Sequence, residues 1–536
     1  MLFRSTFVAS LGSKVLPESG KPLSTYLIPG APIVAVPSQD GKAAIVNLQF
    51  NATIATQNIE DKPALPKIIK FIRTEISKEL ANKGLESHVT GAGGLFADLF
   101  DAFGSINTKL LQTTLLVVAV ILIFVYRSPI LWILPLFTAG TALGLATLLI
   151  YLLAKNGVID LNGQTQGILD VLVLGAATDY ALLLISRYRE ELHHHPSRYV
   201  AMRATLRGVI EPIVASGSTV IVGLMVLLLS DLSSNRALGP VGSIGIASAM
   251  VASLTLLPAL LLIFGRWIFW PKIPRFDDVD EKLSGIWSKV GKFVERRPKP
   301  IWITTAAILV IFAGFAPTLN TAGLSQSQSF TSKTDAVIGL EKLGEHFPSG
   351  EGNPVEIVVK SSDIAPVSAA LKSLPTVASV VPMTGFDPAT KQPTSDVIIV
   401  DGKALIYATL NVAADSSAAK KAIPGIRAAV KKIDPSILVG GQSAIGYDID
   451  VASRHDVRTI IPIVLILIAI ILGLLLRSIL AAGILLVTVV LSFLATLGVC
   501  AIVFQHIFGF AGADQSFPLF AFVFLVALGI DRSEEH

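Results

Sequence analysis

The chain has 536 residues, 52% of them hydrophobic and only 15% charged, and its mean hydropathy is +0.67. A wholly soluble protein of this length needs more surface charge, so long apolar stretches must account for the excess. The net charge of +4 matters less than its placement, and a single cysteine, Cys500, excludes a disulfide framework and a cysteine-based metal site.

No signal peptide opens the chain, because the apolar runs of the first 20 residues are too short. Residues 42–51 read as a strand, 67–83 as a helix and 86–89 as a strand. Together these make half of an α/β domain within residues 1–109. Such a half leaves a sheet edge and a helical face uncovered, and it lies on the far side of a membrane without an upstream helix to carry it there. A first spanning helix and a first half-domain are therefore expected upstream of Met1.

A bilayer core of about 30 Å requires roughly 20 apolar residues in helical form. Nine stretches qualify as spans: 110–126, 129–154, 168–186, 209–229, 238–264, 300–319, 459–476, 479–505 and 517–531. Their long runs lack the alternation of barrel strands, so the membrane part is helical. Five spans fill residues 110–266. A linker over 267–299 follows, in which Leu283, Ile286, Trp287, Val290, Phe293 and Val294 recur at helical spacing beside Lys289, Lys292, Arg296 and Arg297. This is an amphipathic helix, either lying on the inner leaflet or packed on the ends of the bundle.

After the span at 300–319, residues 320–458 read as an α/β domain with the order β-α-β-β-α-β. Its strands are placed at 355–360, 377–382, 403–412 and 437–440, and its helices at 364–374 and 417–433. Residues 459–531 hold the remaining spans. The last five residues, Arg532-Ser533-Glu534-Glu535-His536, break off an apolar helix. They read as the translated start of a sequencing adapter, with further spans expected in their place.

Orientation follows from the short loops. Arg127, the segment 187–207 with its five arginines, the basic linker 265–299 and Arg477 all fall on one side if the spans alternate. That side is the cytoplasm. The two α/β segments are then extracytoplasmic, and the protein is a multi-pass component of the plasma membrane.

The membrane part is duplicated. Arg127-Ser128 recurs as Arg477-Ser478, Leu145-Ala146-Thr147 as Leu494-Ala495-Thr496, and Asp179 as Asp531. Both copies enter the membrane from the same side, so they are parallel repeats. The fold class is a polytopic α-helical membrane protein with two parallel pseudo-symmetric repeats and extracytoplasmic split-βαβ domains.

Asp179 stands about 17 Å of helix from the outer start of its span, near mid-membrane. An ionisable group at that depth costs roughly 2.5–3.5 kcal/mol and marks a proton or ion site, or else a buried hydrogen bond between helices. Tyr180 adds a hydroxyl that donates and accepts. Small neighbours, Gly175 and Ala177 in one copy and Ala527 and Gly529 in the other, let helices approach closely. Asp179 and Asp531 are expected as two half-buried carboxylates that form one coupled site near the pseudo-twofold axis. Asp170 lies on the opposite face and reads as a solvated helix end, His193-His194-His195 as a solvated run, and Glu211 as a helix-dipole partner. Walker, GxSxG and HExxH motifs do not occur in the sequence, so neither ATP hydrolysis nor soluble enzyme chemistry is expected. No metal or organic cofactor is expected.

The block Gly175-Ala176-Ala177-Thr178-Asp179-Tyr180, with Ile185-Ser186-Arg187-Tyr188-Arg189-Glu190-Glu191, resembles the mycobacterial membrane protein large (MMPL) family of the resistance–nodulation–division superfamily. Ala215–Val220, Ser234-Asn235-Arg236-Ala237-Leu238-Gly239-Pro240 and Leu256-Leu257-Pro258-Ala259-Leu260 extend the resemblance, which covers nearly the whole chain from Lys42 and resumes over 522–531. It implies twelve helices, two porter domains and export of lipids or other hydrophobic compounds driven by the proton gradient. It also implies a proton relay of two Asp-Tyr pairs, carried onto Asp179, Tyr180 and Asp531. The second tyrosine would stand at 532, where this chain has Arg532, so the relay is incomplete as written. The implied partners are a hydrophobic substrate and the membrane, not nucleic acid, with a homo-oligomer left open. A drug-efflux pump of the same superfamily carries larger loop domains than residues 320–458 provide. A sterol-sensing or receptor-like lipid binder is the alternative from another class, and Asp179 argues against it.

Overall fold

The computed structural model describes all residues except 1–9, 30–32, 34, 56, 60–61, 81–83, 160, 277–285, 322, 326–327, 329, 331–332, 348–352, 387–392 and 530–536. The chain divides into two units. One comprises Met1–Ala102 with Leu324–Asp450, the other Phe103–Gly323 with Val451–His536.

In the first unit, β1 (Ala35–Pro37) and β2 (Ala44–Val46) pair antiparallel. The strand expected over 42–51 is thus reduced to β2 and an isolated bridge between Leu27 and Phe50. Helix α1 (Ala64–Leu80) buries Ala64, Ile68, Ile69 and Ile72 against Leu16, Leu23 and Tyr26, the single apolar stripe of a surface helix. The strand expected at 86–89 does not form. The Val89 N–H donates to Asp335 Oδ2 at 3.0 Å and its carbonyl accepts from Arg73 Nη2 at 3.2 Å. Side chains therefore satisfy the peptide groups that a sheet would otherwise have paired.

Five long helices come next: α2 (Gly91–Tyr126), α3 (Ile133–Lys155), α4 (Gly163–His194), α5 (Arg198–Met225) and α6 (Ser233–Phe264). Helix α4 packs against α3, α5 and α6, with Val173, Ala177, Ala181, Leu184 and Tyr188 fully buried. Gly245 permits the α6 contact: a Cβ there would lie 2.6 Å from Leu169 Cδ1 and 2.7 Å from Val173 Cγ2. Asn162 begins α4, its side chain accepting from the Thr165 N–H at 2.8 Å. Helix α7 (Ile286–Arg296) leads through Arg297 into α8 (Pro298–Ala313).

Helix α9 (Asp335–His346) belongs to the first unit, where Ala336 and Val337 pack on Leu95. A split-βαβ sheet follows it. Its elements are β3 (Val355–Lys360), α10 (Ile364–Lys372), β4 (Val377–Pro382), β5 (Lys403–Leu410), α11 (Ser417–Lys431) and β6 (Leu438–Gly440). The strand order is β6-β3-β5-β4, with every pair antiparallel. Alternate residues of β3 and β5, among them Ile357, Val359, Ile406 and Ala408, face Val367, Leu371, Ile423 and Ile426 of the helices, the period of two expected of a sheet covered on one face.

The chain ends with α12 (Gln442–Leu476), α13 (Ile479–Ile502) and α14 (Phe517–Gly529). Eight helices are long and apolar enough to cross a membrane, and Phe517–Val526 is a shorter apolar helix among the described residues. Eight of the nine expected spans coincide with these eight helices; the ninth, 517–531, coincides with the shorter apolar helix as far as Gly529, and residues 530–531 lie outside the described residues. Several helices begin well before the apolar run, because backbone helix continues through polar sequence while only the apolar part matches lipid.

The duplication extends to backbone detail. Arg127 and Arg477 both take left-handed backbone, at φ 51° and 49°. The serine after each accepts from the N–H three residues on, at 3.3 Å: Ser478 thereby N-caps α13 through Ala481, whereas Ser128 bonds the Leu131 N–H within the turn that precedes α3. Leu145 and Leu494 are 37% and 38% exposed, while Ala146 and Ala495 are buried. The hydroxyls of Thr147 and Thr496 both bond back to the carbonyl four residues earlier at 2.8 Å.

Candidate functional site

Helix α4 carries the block around Asp179. Thr178 is buried and donates to the Leu174 carbonyl at 2.7 Å, so its hydroxyl is satisfied within its own helix. Tyr180 is buried within the bundle. Asp179 is not half-buried as expected: with Val171 and Gly175 it lies on the exposed face of α4. The reason is geometric. Helices α3, α5 and α6 occupy the faces that carry Ala177, Ala181 and Leu184, and residues 171, 175 and 179 fall four apart on the remaining face. Tyr126 ends α2, and its hydroxyl has no hydrogen-bond partner among the described residues.

Asp531 and Arg532 lie outside the described residues, as does the expected adapter segment 532–536. The described part of α14 packs against α13 and α5. Phe522 of α14 meets Phe493 of α13 edge-on, with ring centroids 5.2 Å apart.

The remaining polar candidates take ordinary partners. His193 Nδ1 meets the Arg275 carbonyl at 3.0 Å, and His195 lies 3.5 Å from Glu191. Arg187 pairs with Glu190 at 2.8 Å and with Glu191 at 2.9 Å. Asp170 is half-buried and Glu211 exposed.

A second polar centre escaped the sequence reading. Asp456 of α12 is only 1% exposed. It accepts from the Ser230 hydroxyl, from the Asp231 N–H at 2.8 Å and from the Asn235 amide at 3.1 Å. Arg236 closes the same turn with two bonds to the Ser230 carbonyl, at 3.1 and 2.9 Å. Beside it, His455 Nδ1 lies 2.8 Å from Asp231 Oδ2, both side chains being exposed. Potential ligand atoms of Asp231, His455 and Asp456 lie within 4.8 Å of one another. The Asp456 oxygens already accept three hydrogen bonds, so the cluster works as a clasp between α12 of the second repeat and the turn between α5 and α6 of the first. The available signal was Arg454-His455-Asp456 opening an apolar run, a pattern shared with any solvated helix end.

Residues 33–301 and 328–532 match the MMPL family profile. The chain belongs to the MMPL family. It is 43% identical over 503 residues to membrane protein ActII-3 of Streptomyces coelicolor, covering 94% of this chain and 68% of that one. It is 33% identical over 517 residues to the apo-petrobactin exporter of Bacillus anthracis, covering 92% of this chain and 68% of that one. It is 29% identical over 327 residues to the sulfolipid-1 exporter MmpL8 of Mycobacterium tuberculosis, covering 61% of this chain and 29% of that one. The chain is thus a membrane transporter of the MMPL family, and the block around Asp179 and the Ser230–Pro240 turn both fall inside the matched residues.

Proposed function

We propose that this MMPL transporter exports lipids or other hydrophobic compounds across the plasma membrane, driven by proton entry through a relay of Asp179, Tyr180 and Asp531. The observation that carries the reading is Asp179 on an uncovered face of a membrane-length helix. A carboxylate facing lipid costs roughly 2.5–3.5 kcal/mol, so that face calls for a protein or water partner. Repeat symmetry offers the helix bearing Asp531 for that role. The exporter names of two relatives support the direction of transport.

The α/β unit is assigned to the extracytoplasmic side because Arg127, Arg477 and the basic segments 187–207 and 265–299 are assigned to the cytoplasm. One proton falling through about 100 mV releases roughly 2.3 kcal/mol, and each pH unit adds about 1.4 kcal/mol. Their sum shifts a two-state equilibrium by two orders of magnitude or more, enough to drive alternating access. No resident cofactor is needed for this cycle.

The test is Asp179→Asn in cells expressing the whole gene. Export of labelled substrate should cease while the amount of protein in the membrane is unchanged. Export at the wild-type rate would return Asp179 to a structural role. A petrobactin-type cargo is the second reading, favoured because the Bacillus relative matches more of this chain at higher identity than the mycobacterial one. Competition between a labelled lipid and petrobactin in the same assay separates the two.

A further inference from the structure

Helix α7 is a membrane-length protein's short, unclaimed element. Its described side chains, from Lys289 to Arg296, are all exposed, including Val290, Phe293 at 58% and Val294. These three recur at helical spacing and form one apolar stripe. An apolar stripe on a helix packed against the ends of the bundle would be covered, and among the described residues nothing covers this one.

Its charge is one-sided. Lys289, Lys292, Arg296, Arg297 and Lys299 carry five positive charges over 289–299, against one negative charge on Glu295, a net of +4. Among the described residues none of these basic side chains makes an ion pair. Only Arg297 separates α7 from Pro298, the first residue of α8, and Pro298–Thr318 is apolar enough to cross a bilayer. The helix therefore starts where a membrane surface must be. An apolar stripe flanked by uncompensated lysine and arginine at that level matches a layer of anionic headgroups over acyl chains.

We propose that α7 is a docking element for anionic phospholipid, with Val290, Phe293 and Val294 in the acyl boundary and Lys289, Lys292 and Arg296 on the headgroups. The leaflet is the one at which α8 enters the membrane. Naming it the inner leaflet rests on the orientation proposed above, but the docking itself does not.

The test uses the whole chain in nanodiscs of phosphatidylcholine, alone or with about one third phosphatidylglycerol. Cys500 is the only cysteine, so Cys500→Ser with Val294→Cys gives a single site for a nitroxide. In the anionic discs the label should be reached by oxygen and shielded from a water-soluble nickel chelate. Each basic side chain near an anionic surface contributes about a fivefold preference. The triple change Lys289→Gln, Lys292→Gln and Arg296→Gln should lower the lipid preference roughly a hundredfold and expose the label, as should neutral discs or high salt. A label at Glu295→Cys, on the polar side, should stay open to the chelate throughout. An exposed Val294→Cys label in anionic discs would overturn the proposal. Equal shielding in neutral and anionic discs, or shielding at both positions, would also overturn it, because α7 would then be packed on protein. The readout is independent of transport, so this result and the fate of Asp179→Asn are separable.

Discussion

Asn235 and Asp456 meet across the two repeats, the Asn235 amide donating to Asp456 Oδ2 at 3.1 Å with both side chains buried. Three donors converge on that carboxylate, and truncating it strands the Asp231 N–H and the Asn235 amide, while the Ser230 hydroxyl keeps the Leu232 carbonyl. Leaving buried polar groups without a partner is among the few ways one substitution removes a large share of stability.

Asp456→Ala is therefore expected to destabilise the membrane unit by about 1–3 kcal/mol for the buried donors it leaves unpaired. Asp456→Asn, which keeps the acceptor facing the Asp231 N–H, should cost less. Thermal denaturation of the detergent-solubilised protein, followed by size-exclusion chromatography, measures both. Equal midpoints for wild type and Asp456→Ala would refute the clasp.

In the α/β unit, Asp335 gathers Arg73 Nε at 2.8 Å, His88 Nδ1 at 2.8 Å and the Val89 N–H at 3.0 Å. Arg73 also holds Asp98 at 2.5 Å. Asp335→Ala should cost about 1–3 kcal/mol, lower than for a fully buried pair because the side chains retain partial exposure. A double-mutant cycle of Arg73→Met with Asp335→Ala should give a coupling above about 0.5 kcal/mol. Additive effects would mean that the contact contributes nothing.

The ion pair from Lys360 Nζ to Asp434, 2.7 Å long, brings a pH dependence. Lys360 and then the Ser436 N–H lower the Asp434 carboxyl from 3.8 to about 2. A depressed folded-state value contributes stability that is present above the unfolded value and lost as pH falls through the folded one. Amide-exchange protection of β6, corrected for intrinsic rate, should accordingly fall between about pH 4 and about pH 2. In Asp434→Asn that slope should be absent. A slope unchanged by Asp434→Asn would assign it to another group.

At the duplicated corners, Ser478→Ala should cost about 1 kcal/mol through loss of a helix cap, and Ser128→Ala about 1 kcal/mol through loss of its bonds to the Leu131 N–H and the Ile268 carbonyl. Arg127→Gly should relieve roughly 1–2 kcal/mol of left-handed backbone strain. Thermal midpoints check both signs, and a drop with Arg127→Gly would mean that the guanidinium makes a stabilising contact of its own.

The spans and the split-βαβ order were legible because lipid thickness and sheet alternation write themselves into composition and spacing. Residues 86–89 were not, since Val89 is apolar and well placed for a strand, while the Asp335 that takes its N–H lies 246 positions away. Asp179 stood out in the sequence as a charged residue within an apolar span. Its exposure was not legible, because that depends on which three helices claim the rest of α4. Asp456 was not singled out, because only the fold brings Ser230 and Asn235 to it.

The twin Arg-Ser corners make the protein its own reference sample. The same backbone conformation and the same serine bond to the N–H three residues on occur at 127–128 and 477–478, in one molecule and under one set of conditions. A substitution made at one corner can be compared with its twin without a second protein, a second preparation or a correction for expression. Whatever differs between the two responses must come from the neighbours of each corner, since the corner itself is held constant.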